Sequence, residues 1–525
     1  MSSKQKTPKQ NEKKQKTPKE SEKEKEINHD KKVEVSVMNP WTVKGPVAYL
    51  DQITKYGTSP IDGVLLNRWR KVTGIKPHRL IRRGLVFSHQ DIEKVLDAVE
   101  AGIPVYVYTG RGPSSDTMHL GHMVPFMLTR YLQQALNCIV VIQMSDDEKF
   151  FFKAGTTPKD LKEYNDYTYK NALDIIACGF DINKTLIFSN LEYNSGHLYF
   201  NNTLLMKNTT MNQVRGIYGL GELVDQNVVD LCKKEMQTET DPEKIASYQK
   251  IIKNHDGVEQ SNNVGQCVWP CFQCGPAFCT SFRDIFINAI KHALINKKLP
   301  DYVANNYKAM LKDLSDPVKG GNILCLVPMA IDQSPYFRMA RDCASILKCP
   351  KPAVIHSEFL PGLKQSEGKM SSTTGESDTL FLDLNPEKVK KLIKSFAFSG
   401  GRETLEEHKK YGGNIKVDIC YQYLLFFLES DEELKNIAKQ YTDGTMTTGQ
   451  LKEFTSTLIA NIIQGHQKTK AQITPEILKQ YFDSTRTFDI GGVYDREIIK
   501  EGDEEEDYSK YGIDFDRTFG LAPKY

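Results

Sequence analysis

The sequence predicts an α/β chain: a parallel sheet layered with helices, followed by an all-helical domain. Three observations predict it. Residues 105–108 form a β-branched and aromatic run that Gly110, Gly112 and Pro113 break, and from Met118 the apolar positions Met118, Leu120, Met123, Phe126, Met127 and Leu132 keep helical spacing. Residues 138–144 are strand-like again, so a strand, a helix and a strand fall within the length of one βαβ unit. Beyond Asn385 the pattern is helical throughout.

The elements follow in order. Residues 1–32 are low complexity, with Lys-Gln-Lys-Thr-Pro-Lys at 4–9 and again at 14–19, and are expected to be disordered. Residues 34–43 alternate like a short strand pair broken at Asn39-Pro40. Within the mostly helical segment 33–103, a loop is expected near 57–60. A helix is expected over 88–101, with Ser88 and Asp91 resembling a capping box.

The 104–384 stretch carries the sheet. After the first βαβ unit come a helix at 158–177 with a Thr157-Pro158 start, a strand at 184–189 and helix over 200–220. Residues 222–263 are polar and charged and read as a surface insertion. Residues 264–282 are apolar and Cys-rich, and 282–293 look helical. Buried strands are expected at 323–327 and 353–357, with a polar loop at 362–378. In the 385–487 domain, helices are expected at 386–395, 403–410, 418–428, 431–442, 447–467 and 474–482. The tail 488–525 is acidic.

Composition narrows the class. With 525 residues, the chain is long enough for two or three domains. Hydrophobic residues make up 39%, and no run approaches the roughly 18 needed to span a bilayer. The Lys/Glu/Gln-rich start has no secretory apolar core and too many acidic residues for a transit peptide, so a cytoplasmic location without membrane attachment is expected. Eleven cysteines, an odd number on a long chain, argue against a disulfide framework. Net charge is only +2 but unevenly placed: 11 Lys against 6 acidic residues in 1–32, and 11 acidic against 5 basic in 488–525. The basic arm could touch a polyanion, although a solvated extension is the simpler reading.

The turn after the first strand faces the sheet's carboxyl end, where open α/β sheets bind ligands. A helix opening there offers N–H groups to phosphate, with His119 and His122 on one face of its first turn. His119-Leu-Gly-His122 is weak alone, and so is Lys369-Met-Ser-Ser372. Their order and setting are stronger: one opens a helix after a strand, the other lies in a polar loop between the last sheet strand and the helical domain. Together they resemble the signature pair of the class I aminoacyl-tRNA synthetases. Residues 108–115 (YTGRGPSS), 143–149 (QMSDDEK), 330–338 (AIDQSPYFR), 397–403 (AFSGGRE) and 39–43 (NPWTV) are similar to the tryptophanyl-tRNA synthetases of the eukaryotic cytoplasmic type, over roughly 34–487 apart from the insertion.

The resemblance implies a Rossmann-like catalytic domain followed by an anticodon-binding helical domain. It also implies activation of L-tryptophan with ATP and Mg2+, transfer to tRNA(Trp), and a homodimer. Activation asks the protein to align a carboxylate oxygen with the α-phosphate and to stabilise charge on the phosphates. His119, His122, Lys369, Ser371 and Ser372 are the candidate catalytic residues. Gly112, Ser114, Ser115, Gly121 and Met370 join His119, His122 and Lys369 as the candidate ATP site. Gly121 leaves room for a flat adenine, and Gly368 and Gly375 would permit the loop to close.

For tryptophan the resemblance points to Tyr108, Gly110, Gln143, Glu148, Lys149, Gln273 and Gln333. The indole N–H only donates, so the Tyr108 oxygen or the Gln143 carbonyl could accept it. Glu148 suits the ammonium and Lys149 the carboxylate. Trp269 is open between pocket wall and core. A buried acceptor opposite the indole disfavours Phe, so no editing domain is required.

Three readings remain open alongside. Asp146-Asp147-Glu148 could be an acidic helix start or a metal site, and no metal ligand is assigned. The cluster Cys267, Cys271, Cys274 and Cys279 could pack in the core or bind zinc. The chain could instead be tyrosine-specific, or a catalytically silent paralogue. The loop reads Lys-Met-Ser-Ser-Thr373 where the family's eukaryotic members usually end in Ala-Ser, a small polar change.

Overall fold

The computed structural model describes residues 37–38, 43–44, 57–218, 226–237, 244–249, 252, 263–364, 369–371, 375 and 377–494. The Lys-rich arm, most of the acidic tail, much of the 222–263 insertion, and Gly368, Ser372 and Thr373 lie outside these residues.

Seven strands form one sheet in the order β3-β4-β9-β8-β5-β6-β7. They are β3 Ser59–Pro60, β4 Val86–Gln90, β5 Val105–Arg111, β6 Ile139–Met144, β7 Thr185–Ser189, β8 Leu324–Ala330 and β9 Ala353–Ser357. From β9 through β8, β5 and β6 to β7 the pairing is parallel, while β4 and β3 add an antiparallel edge. A separate pair, β1 Val37–Met38 and β2 Val43–Lys44, is antiparallel.

Parallel strands are covered on both faces, which explains their near-continuous apolar sequences. Alternation within β5 divides the core. Val105 and Val107 join the cluster that holds Leu120, Val140 and Leu326, whereas Tyr106 and Tyr108 face the cluster of Ile139, Val141, Phe188 and Trp269.

Several sequence expectations are corrected. The run 88–101 is not one helix: Ser88 lies in β4, with its Oγ 3.0 Å from His356 Nδ1 in β9, and the helix is Ile92–Glu100. A strand buried on both faces hides its period, so Ser88 imitates a cap. The actual N-cap, Asp91, is left-handed at φ 61. β5 does not break at Gly110 but runs to Arg111, and the next helix, Leu120–Leu136, begins two residues past Met118. Helix over 200–220 is two helices, Gly196–Asn208 and Met211–Tyr218. The sequence reading assigned nothing to the Asp301–Leu314 helix.

The C-terminal helices are Pro386–Phe396, Leu405–Tyr411, Ile419–Phe427, Asp431–Thr442, Thr448–Lys470 and Pro475–Phe482. They are not insulated from the sheet. Leu424, Tyr441 and Ile459 share one continuous core with Leu120, Ile142 and Leu326. Polar contacts reinforce this joint. Asp431 receives Arg82 Nε at 2.6 Å and Arg83 Nη2 at 2.6 Å, all buried, and His466 Nε2 lies 3.2 Å from Asp174. Past the last helix, Phe488 and Ile490 are buried, and Gly492 N–H donates to Asn137 O at 2.7 Å under the sheet.

Among the described residues, no helix is long and apolar enough to cross a membrane.

Candidate active site

The strand order changes direction at β5, with β6 on one side and β8 on the other. A cavity of about 680 Å³ opens at the carboxyl ends of these strands. Residues from both signature stretches line it. From the first come Tyr108, Gly110, Arg111, Gly112, Ser114, His119, Gly121 and His122. From the second come Lys369, Met370 and Ser371.

Backbone pairing brings the two stretches together. Leu120 N–H donates to Leu380 O at 2.8 Å, Leu382 N–H donates to Met118 O at 2.9 Å, and His119 pairs with Phe381 as an antiparallel bridge. Met370 N–H reaches Leu360 O at 2.8 Å. The loop after β9 is therefore pinned across the start of the Leu120–Leu136 helix.

His119 and His122 stack with ring centroids 3.5 Å apart. Arg111 Nη1 is 3.0 Å from His122 Nε2, and since Arg only donates, that nitrogen accepts. Burial, then the Arg111 and Lys369 charges, pushes His119 down to about 3. Burial and Arg111 hold His122 well below its ordinary value too. Both imidazoles are neutral at pH 7. A methyl on Gly121 would stand 3.1 Å from the His119 ring and 3.3 Å from Met370 Cβ.

Lys369 reaches across the cavity to Asp332, Nζ to Oδ2 at 3.4 Å, and lies 5.5 Å over the Phe359 ring. Asp332 follows β8 and is buried, and burial raises its carboxyl although Lys369 opposes the shift. Its Oδ1 has no hydrogen-bond partner among the described residues, and neither does Arg111 Nη2.

At the other end, the Tyr108 hydroxyl is 2.5 Å from Gln143 Oε1 and 2.8 Å from Gln273 O. The Gln143 amide donates to Asn190 Oδ1 at 2.8 Å. Asn190 donates in turn to Asp147 Oδ1 at 2.9 Å, which also takes the Trp269 indole N–H at 3.2 Å. Burial pushes Asp147 up to about 6. A polar relay thus runs from Tyr108 to Trp269.

Glu148 Oε2 accepts from Ser145 at 2.9 Å, and Lys149 Nζ is 3.4 Å from Oε1. Gly112 leaves room for this carboxylate: an added Cβ would lie 2.2 Å from Glu148 Oε2, and the carboxylate would have to move aside.

Of the residues singled out in the sequence, Gly110, Glu148, Lys149, Gln273 and Gln333 also line the cavity. Gln143 and Ser115 do not. Gln143 lies behind Tyr108, and Ser115 Oγ turns to Thr117 O at 2.9 Å. Trp269 is buried and also lines the cavity, so its two readings coincide. The acidic triplet divides: Asp146 is buried and accepts from Ser189, Asn165 and Leu191 N–H, while Glu148 faces the cavity. Cys271, Cys274 and Cys279 are buried in the second core, with Cys267 half-buried.

Sequence reasoning missed Arg111, Asp332 and Phe337 as lining residues, and Asn190 and Asp147 as links of the relay. Arg111 and Asp332 sat inside stretches already quoted. Being charged amid apolar strand ends, they carried a signal that went unused.

A family model described as tRNA synthetases class I (W and Y) matches residues 101–252 and 305–464. The cytoplasmic tryptophan–tRNA ligase of Mus musculus is 40% identical over 456 residues, covering 86% of this chain and 79% of that protein. The one from Homo sapiens is 39% identical over 456 residues, covering 86% and 81%. The solved tryptophanyl-tRNA synthetase from Giardia lamblia superposes with a TM-score of 0.67 at 33% identity, covering 83% of this chain and 95% of that one. The chain belongs to the class I tRNA synthetases for tryptophan and tyrosine, in the branch of the cytoplasmic tryptophan–tRNA ligases.

Proposed function

We propose that this cavity activates L-tryptophan with ATP, forming tryptophanyl-adenylate and pyrophosphate, and that the chain then transfers tryptophan to tRNA(Trp). The observation that carries the reading is one cavity with two unlike ends. One end is apolar and amide-lined, around Tyr108, Gln273 and Trp269. The other holds His119, Gly121, His122 and Lys369. The relatives' names select tryptophan over the tyrosine-specific alternative and give the cytoplasmic setting.

The amino acid lies with its indole N–H toward the Tyr108 oxygen. That hydroxyl donates inward and keeps lone pairs for the cavity, whereas Gln143 Oε1 is already taken. Gln143 therefore orients Tyr108 rather than touching indole. Gly110 keeps the wall flat, and Gln333 completes the rim. Glu148 meets the ammonium, and Lys149 draws the carboxylate toward phosphorus.

ATP lies against Gly121 and Met370, with Gly112 and Ser114 near the phosphates. Ser115 holds the turn that presents them. A carboxylate oxygen attacks the α-phosphorus while the bond to pyrophosphate breaks on the opposite side. His119 offers one N–H as a neutral donor, His122 accepts from Arg111 at Nε2 and so aims that guanidinium at the phosphates, and Lys369 with Ser371 stabilises the charge on the departing phosphates. The assignment of Ser372 to the same task rests on the resemblance alone. ATP enters with Mg2+ on its phosphates as part of the substrate.

We assign catalysis to 104–384 and anticodon reading to 385–487. A homodimer across which tRNA spans both subunits accords with exposed Leu191, Tyr199, Phe200 and Met211. Amino-acid-dependent exchange of labelled pyrophosphate into ATP tests the proposal. Exchange with tryptophan and not tyrosine is expected; exchange with tyrosine alone, or with neither, would refute it.

A further inference from the structure

The hydrogen bonds behind Tyr108 run in one direction, and the far end sets it. Strand pairing places the members. Gly110 of β5 sits opposite Gln143 of β6, and Gln143 sits opposite Phe188 of β7. Asn190, which opens the short helix after β7, therefore comes beside the Gln143 amide. Gly110 keeps the way clear, because a Cβ there would stand 3.7 Å from Gln143 Oε1. Tyr108, Gln143, Asn190 and Asp147 are all buried, so a partner lost here is not replaced by bulk water.

The Asp147 carboxylate and the carbonyls of Phe272 and Gln273 can only accept, and the Trp269 indole can only donate. Asp147 Oδ1, 3.2 Å from that indole nitrogen, accepts from it. The Asn190 atom 2.9 Å from the same oxygen must then be the amide NH2, which turns Asn190 Oδ1 toward Gln143. The Gln143 atom 2.8 Å from Asn190 Oδ1 must be Nε2, and Phe272 O, 3.0 Å from it, requires the same. Gln143 Oε1 is left facing Tyr108. A phenol carries one proton, and both polar neighbours of this one, Gln143 Oε1 at 2.5 Å and Gln273 O at 2.8 Å, are acceptors. The proton is therefore directed inward, and the oxygen shows the cavity lone pairs alone. With the Gln143 amide reversed, its NH2 would occupy one of those lone pairs and free the phenol proton to turn toward the cavity.

We propose that Asn190 is a positioning residue that sets the amino-acid preference: held by Asp147, it locks the Gln143 amide so that the Tyr108 oxygen reads only ring systems that bring an N–H donor. Neither Asn190 nor Asp147 lines the cavity, so both act entirely through Gln143 and Tyr108. A bicyclic ring of the same shape without the N–H leaves a buried acceptor unpaired and is rejected for that reason. A loosened Gln143 amide lets the hydroxyl turn, and the rejection fades. The inference deepens the tryptophan-activating reading and rests on it.

The test measures pyrophosphate exchange by the full chain with tryptophan and with the analogue whose benzothiophene ring carries sulfur in place of the N–H. The unmodified chain should favour tryptophan in kcat/KM by at least about tenfold. Asn190→Ser keeps a hydroxyl for Asp147 but lacks the amide oxygen that Gln143 meets, and Asn190→Leu keeps the volume. Each should lower kcat/KM for tryptophan at least about fivefold more than for the analogue, whereas a merely structural loss lowers both alike. In a Tyr108→Phe background, Asn190→Ser should leave the ratio unchanged within about twofold, because the hydroxyl it acts through is gone. Thermal melts by circular dichroism check folding, and Asn190→Ser decides if Asn190→Leu does not fold. Equal use of the two amino acids by the unmodified chain, a ratio unmoved in the Asn190 variants, a ratio moved as far without the Tyr108 hydroxyl as with it, or loss of fold in both variants overturns the proposal. No tryptophan exchange by the unmodified chain refutes the activating reading and the inference resting on it, whereas exchange with an unmoved ratio refutes the inference alone.

Discussion

The hydroxyl of Tyr108 stands 2.5 Å from Oε1 of Gln143, a residue that never reaches the cavity wall. The amide of Gln143 is itself fixed by Asn190, so the tyrosine oxygen is aimed from behind. Tyr108→Phe should therefore lower kcat/KM for tryptophan by roughly 10- to 100-fold, about 1–3 kcal/mol, and narrow the preference over phenylalanine. Steady-state exchange with both amino acids measures this. Unchanged discrimination would remove the hydroxyl from recognition.

Lys369 Nζ stands 3.4 Å from Oδ2 of buried Asp332. Lys369→Ala should leave tryptophan binding within about twofold by calorimetry while lowering kcat by roughly 100- to 1000-fold, the scale of losing one charge-stabilising donor. An equal effect on binding and turnover would place the lysine among ground-state contacts.

Gly112 has the Glu148 carboxylate where a side chain would start. In Gly112→Ala the carboxylate must move, and the tryptophan KM should rise at least about tenfold for an overpacking strain of about 1–3 kcal/mol. A KM unchanged within twofold would detach Glu148 from the ammonium.

The two acidic residues at the joint should differ sharply. Asp431 is buried between Arg82 and Arg83, so Asp431→Ala leaves two buried guanidinium groups uncompensated and should cost about 3–5 kcal/mol in denaturant melts. The Glu429 side chain is 79% exposed, and Glu429→Ala should cost less than about 1 kcal/mol. Equal losses would contradict the buried-pair account.

The histidines give a pH test. His119 is pushed from 6.5 down to about 3, and His122 is lowered as well. Both stay neutral in the free enzyme through the physiological range, so kcat/KM for ATP should show no inflection near pH 6.5 that disappears in His119→Asn. A base depressed by folding stabilises fully above its unfolded value near 6.5, and that contribution is lost as pH falls toward 3. Thermal melts from pH 7 to pH 4 should decline accordingly, less steeply in His119→Asn.

Much of the fold was legible because its strands are short apolar runs bounded by turns, and because its last helices keep a clear 3.6-residue period. The parallel sheet, its strands and the helical end match the sequence expectation. β4 was hidden because Val86–Gln90 is buried and shows no alternation, while Ser88 imitates a cap. At the cavity, His119 and Lys369 meet through the Leu120–Leu380 and Leu382–Met118 hydrogen bonds, which no local pattern announces. The relay through Asn190 and Asp147 is invisible for the same reason: its members come from separate elements, and each looks like an ordinary polar residue.

The continuous core has a mechanical consequence. Met370, Leu380 and Leu382 pack in the same apolar mass as Leu424 and Ile459 of the C-terminal helices. A densely packed interior transmits strain instead of absorbing it. A load on the far helices would reach the base of the Lys369 loop through side chains already in contact. The helical end is thereby welded to the cavity like a lever arm, and cutting the chain at the boundary would sever that lever.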